Sequence, residues 1–165
     1  MSAIIPTDIY IQRRKILLKN VKEGLIFLPG NRESPMNYPD NTYHFRQDSN
    51  FLYYIGIDRP DLSVVLDTNT GETILFGDNF TLDMIVWLGA LPTLESLAEK
   101  SGIVSLKPTS ALADYLSDAL NQGRNVHILP PYRAENMLLI NDYIKKSNKS
   151  YQHLISEELI RQVVA

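Results

Sequence analysis

The segment Gly24-Leu25-Ile26-Phe27-Leu28-Pro29-Gly30 limits the fold more than any other stretch of this chain. A short apolar run bracketed by glycine and proline reads as a buried strand. Helical patterns surround it. Residues 7–20 predict a helix with Thr7 as N-cap. Tyr10, Leu17 and Val21 form its apolar stripe, Arg13, Arg14, Lys15 and Lys19 fill much of the rest, and Gly24 stops it. Residues 62–66 and 72–76 predict paired strands, joined through the turn chemistry of Asp67-Thr68-Asn69-Thr70-Gly71. Short helices are expected over 81–88, ending at Gly89, and over 94–100, with Thr93 as cap and Gly102 just past the end. A clearer helix, capped by Thr109 or Ser110, runs to Asn121 with Leu112, Tyr115, Leu116, Ala119 and Leu120 as its stripe. Residues 126–129 predict a strand stopped by Pro130-Pro131, followed by helices over 134–146 and 155–164, the last without cap or stop. Strands alternating with helices around one hairpin predict an α/β domain: a mixed sheet of about five or six strands with helices on both faces.

The chain has 165 residues. A chain of this size buries about 70% of its surface, so no disulfide or structural metal is needed. The absence of cysteine excludes disulfides, cysteine zinc sites, iron–sulfur clusters and thiol nucleophiles. Sixteen basic against 19 acidic residues leave a net charge of −3, which argues against a general nucleic-acid binder. The N-terminus shows no signal-peptide pattern and no apolar run approaches a membrane span, so a soluble cytoplasmic protein without nucleic-acid or membrane partners is expected.

Catalytic signatures are sparse. His44, His127 and His153 show no metal-ligand spacing, and His127 reads as a satisfied core histidine. No nucleophile elbow, phosphate loop or catalytic carboxylate pair is present. Arg13-Arg14-Lys15 reads as a solvated helix face. Two features stand apart. In the block from Asn41 to Tyr54, the second half is expected to form a strand ending at Gly56, with Phe51, Tyr53 and Tyr54 in the core. Arg46 and Asp48 are expected to brace its loop as an ion pair, with Tyr53 beside them. The sole tryptophan, Trp87, lies near the end of a short helix and fits either core or a ligand-facing wall.

Taken in order, these segments resemble the N-terminal domain of bacterial Xaa-Pro aminopeptidases, the aminopeptidase P family with its creatinase and prolidase relatives. The resemblance rests on Arg13-Arg14, on Tyr43-His44-Phe45-Arg46-Gln47-Asp48-Ser49-Asn50-Phe51-Leu52-Tyr53-Tyr54-Ile55-Gly56, and on Pro60-Asp61. Ile85-Val86-Trp87-Leu88-Gly89 and the closing run from Leu159 to Ala165 complete it. It implies an N-terminal α/β domain over residues 1–150 and, over 151–165, the start of a linker helix to an absent C-terminal metallopeptidase domain. That domain would hold two manganese ions. The resemblance therefore implies no catalytic or metal-binding residue in this chain and an inactive fragment. It implies that Trp87 walls a neighbouring subunit's pocket in a homo-oligomer, and that Asp40 approaches an arginine of the catalytic half. The expected partners are that catalytic domain and a peptide with proline at its second position. The alternatives are a non-catalytic protein-binding module and a prolidase or creatinase relative.

Overall fold

A computed structural model of the chain describes residues 5–32, 46–79, 93–131, 134–147 and 149–164. The first helix, α1 (Thr7–Asn20), leads into β1 (Leu25–Pro29). A short helix, α2 (Ser49–Tyr54), precedes the hairpin of β2 (Ser63–Asp67) and β3 (Thr73–Phe76). Then follow α3 (Leu94–Ser101), β4 (Ser105–Lys107), α4 (Leu112–Asn121) and β5 (Val126–His127). The described part closes with α5 (Ala134–Ile144), α6 (Tyr151–Leu154) and α7 (Glu157–Val164).

The strands form one sheet in the order β4-β3-β2-β1-β5. Neighbours β1–β2 and β2–β3 are antiparallel, whereas β1–β5 and β3–β4 are parallel. A single parallel bridge, Ile128 to Ile155, extends pairing beyond β5. The expected mixed sheet is therefore present, with five strands and this bridge among the described residues. Both faces are covered, which explains the unbroken apolar run in β1. Ile26, Leu28, Val64, Leu66 and Leu75 face a core built with α1, α2 and α3. Leu25, Phe27, Val65, Ile74 and Phe76 face the opposite core, built with α4 and α5. Leu159 of α7 is fully buried in the first core.

Several expected ends hold. Thr93 accepts from the Ser96 N–H, and Gly102 closes α3 in the left-handed conformation. His127 is buried, with Nδ1 2.8 Å from the Ser156 Oγ. Other ends differ. Neither Thr109 nor Ser110 caps α4 through its side chain, because a 3₁₀ turn over Thr109–Ala111 feeds directly into it. The last helix has a cap after all: the Ser156 Oγ accepts from the Leu159 N–H at 3.2 Å. The helix expected over 81–88 lies outside the described residues.

The clearest correction concerns residues 51–54, which are helical rather than extended. The Asp48 carboxylate accepts the Phe51 N–H at 2.9 Å and starts α2 as its N-cap. Phe51, Tyr54 and Ile55 are buried while Leu52 and Tyr53 are exposed. That is the three-to-four spacing of a helix, not the alternation of a strand. Aromatic content gave the segment its strand-like look. Gly56 then turns the chain at φ +74°, where an added Cβ would fall 2.2 Å from the Tyr10 ring. Only glycine fits there.

Candidate functional site

The aromatic block is held by an amide rather than by charges. Gln47 is 8% exposed and sits where β1 leaves the sheet. Its Oε1 accepts from the Asn31 N–H at 2.8 Å and from the Asp48 N–H at 3.1 Å. Its Nε2 donates to the carbonyls of Ile57 at 3.1 Å and Arg59 at 2.9 Å. One neutral side chain thus satisfies four backbone groups from three loop segments. Gly30 makes room for it, since a Cβ there would come within 3.1 Å of the Gln47 Oε1. Asp61, in the left-handed region at φ 64°, donates its N–H to the Asn31 carbonyl at 3.0 Å and ties the 58–61 turn to the same hub. Aspartate tolerates that conformation better than most residues.

The expected bracing residues take other places. The Arg46 side chain is exposed, and its carbonyl accepts from the Asn31 Nδ2 at 3.0 Å. Among the described residues no ion pair joins Arg46 to Asp48, because the Asp48 carboxylate caps α2 instead. Tyr53 is 50% exposed and lies against the Arg13 guanidinium, 3.9 Å from its ring centroid. Trp87 and Asp40 lie outside the described residues.

The Arg13-Arg14 pair is not a solvated face. Arg13 donates to the Tyr53 carbonyl at 2.8 Å. Arg14 is only 3% exposed and donates to the Tyr54 carbonyl at 2.9 Å, to the Ser101 Oγ at 3.0 Å and to the Ser101 carbonyl at 2.5 Å. It therefore closes the carboxyl ends of α2 and α3 together, where a cation suits the carbonyls at the helix ends. Burial pushes its guanidinium down to about 10, still fully charged at neutral pH.

The sequence reading missed Gln47 and the depth of Arg14. The signal for the first was a polar run, Arg46-Gln47-Asp48-Ser49-Asn50, which a strand entering the core would not carry. These groups fix loops and helix ends and present no nucleophile–base pair. Among the described residues no group of three or more histidine or acidic side chains is placed to hold a metal ion. Among the same residues no helix is long and apolar enough to cross a membrane.

The described residues thus form an α/β unit: a mixed sheet covered by helices on both faces, entered through an Arg-Arg helix and pinned by this amide hub. The family model described as aminopeptidase P, N-terminal domain, matches residues 10–129, and the chain belongs to that family. A probable Xaa-Pro aminopeptidase of Blastomyces gilchristii is 25% identical over 142 residues, covering 86% of this chain and 26% of the relative. Another, from Ajellomyces capsulatus, is 34% identical over 104 residues, covering 61% of this chain and 20% of the relative. Aminopeptidase P from E. coli superposes with a TM-score of 0.74 at 24% identity, over 93% of this chain and 36% of that one. Pseudomonas aeruginosa aminopeptidase PepP gives 0.73 at 24% identity, over 87% and 33%. These structures share the fold. The chain spans about a quarter of the length of the first of these relatives and about a third of the length of these structures.

Proposed function

We propose that this chain is the N-terminal recognition and assembly domain of a manganese-dependent Xaa-Pro aminopeptidase, which removes the N-terminal residue preceding a proline. The observation that carries this reading is the family match over residues 10–129, in which the Arg-Arg helix and the aromatic block stand in order. The likeness to probable Xaa-Pro aminopeptidases supports the reaction class.

In this reading the chemistry belongs to a catalytic domain joined to this one. The two manganese ions are assigned there, as the family resemblance implies. When bound, such ions activate water for attack on a peptide carbonyl. The work assigned to this chain is positioning. Trp87 forms an apolar wall of a neighbouring subunit's pocket within a cytoplasmic homo-oligomer, and Asp40 meets an arginine of the catalytic half. Both act at the rim and order it, which favours short peptides with proline second. The Gln47 hub and the Arg14 clamp hold the part of the aromatic block from Gln47 to Tyr54, which follows Asp40 in sequence.

The test is hydrolysis of an Xaa-Pro peptide by the 165-residue chain with manganese. No amino acid should be released. Turnover by the pure chain would overturn the assignment of catalysis to another domain.

A further inference from the structure

A surface helix buries one stripe and turns the opposite one to water, and that outer stripe is ordinarily polar. On α1, Tyr10, Arg14 and Leu17 are buried. The opposite face breaks the rule. Ile9 is 40% and Ile16 56% exposed, with exposed Gln12 between them. Ile5, 39% exposed, stands just ahead of the helix. Residues 5, 9, 12 and 16 follow at intervals of four, three and four, the spacing of a seam that packs against another helix. Exposed apolar side chains scattered singly need no explanation, but three along one seam do.

The charges beside the seam point to what covers it. Asp8 and Lys15 lie seven residues apart on one flank and are both exposed. Neither takes part in an ion pair among the described residues. On the other flank Arg13 is already engaged: it donates to the Tyr53 carbonyl and lies 3.9 Å from the Tyr53 ring centroid. In an antiparallel pair of identical helices the same flank of each meets, running in opposite directions. A two-fold axis beside Gln12 therefore sets Asp8 next to the partner's Lys15, and Lys15 next to the partner's Asp8. A parallel pair would instead set Asp8 against the partner's Arg13, which Tyr53 holds.

We propose that the outer seam of α1 is a self-association surface on which a second copy of this chain lays its own α1 antiparallel. Ile9 and Ile16 form its centre and the two Asp8–Lys15 pairs its rim. The helix has 14 residues and is about 21 Å long. One helix pair of that length buries less than the roughly 1,200 Å² of a standard interface, so the dimer is weak, with Kd on the order of 100 μM. This surface is independent of the pocket role proposed for Trp87, because it involves α1 alone.

The test is sedimentation velocity of the 165-residue chain from about 10 to about 1,000 μM. The mass should rise with concentration from 18.8 kDa toward twice that value. Ile16→Gln should weaken the association at least about tenfold. Asp8→Lys and Lys15→Asp should each weaken it about tenfold, since symmetry counts each like-charge contact twice. The double charge swap should return it to within about threefold of wild type. Far-UV circular dichroism in urea checks that each variant folds. A lysine in the first turn opposes the helix dipole, so Lys15→Asp alone carries the charge test if Asp8→Lys does not fold. A monomer across the whole range would overturn the proposal. So would association unchanged by Ile16→Gln, or a folded double swap that fails to restore it. Loss of stability from Ile16→Gln only in a longer chain that stays monomeric would assign the seam to a downstream segment instead.

Discussion

The Arg14 guanidinium donates to the Tyr54 carbonyl at 2.9 Å and joins the first helix to the end of α2. The same side chain reaches Ser101 at the end of α3. Three helices therefore depend on one buried cation whose charge is offset by carbonyl oxygens rather than by a carboxylate.

Arg14→Met should destabilise the domain by about 2–4 kcal/mol, because it leaves the carbonyls of Tyr54 and Ser101 buried without donors. Arg14→Lys should recover less than half of that loss, since one ammonium cannot reproduce the planar fork. Urea unfolding followed by far-UV circular dichroism measures both. A loss under about 0.5 kcal/mol for Arg14→Met would show the clamp to be dispensable.

Gln47→Leu removes both donors and the double acceptor of the hub while keeping its volume. Stability should fall by about 2–4 kcal/mol, with the Asn31 and Asp48 N–H groups orphaned. Amide hydrogen exchange at Asn31 should accelerate in step with the loss. Unchanged exchange there would contradict the role assigned to Gln47.

Asp67 gives a pH dependence of definite sign. Burial pushes its carboxyl up, but hydrogen bonds from Arg124 and from the Asn69 N–H outweigh this and hold it below its ordinary value of 3.8. The unfolded chain therefore takes up this proton first as pH falls. The stabilisation is complete above the unfolded value and is lost as pH drops through the lower folded one. Asp67→Asn should be less stable than wild type at neutral pH, and the gap should narrow below about pH 4. Parallel urea curves at neutral and acid pH check this; a gap independent of pH would contradict it.

Much of the architecture was legible because its signals are local. The breakers around Leu25–Pro29, the turn before Gly71, and Thr93 with Gly102 each fix an element through backbone chemistry. The aromatic block was misread for an equally physical reason. Aromatic residues favour strands on average, but the Asp48 cap and the Phe51–Tyr54 spacing decide locally for helix. Arg14 and Gln47 were hidden because their partners lie far away in sequence, at Ser101 and at Ile57 and Arg59. Periodicity along one segment carries no information about such contacts. The family resemblance added what periodicity lacked, pointing to Trp87 and Asp40, which lie outside the described residues.

Steady-state kinetics of the proposed full-length enzyme with Trp87→Ala test the central proposal most directly. With a peptide carrying proline at its second position, KM should rise or kcat fall, by about tenfold in kcat/KM, while folding stability stays unchanged. Wild-type kinetics in that variant would contradict a recognition role for this domain at the active-site rim.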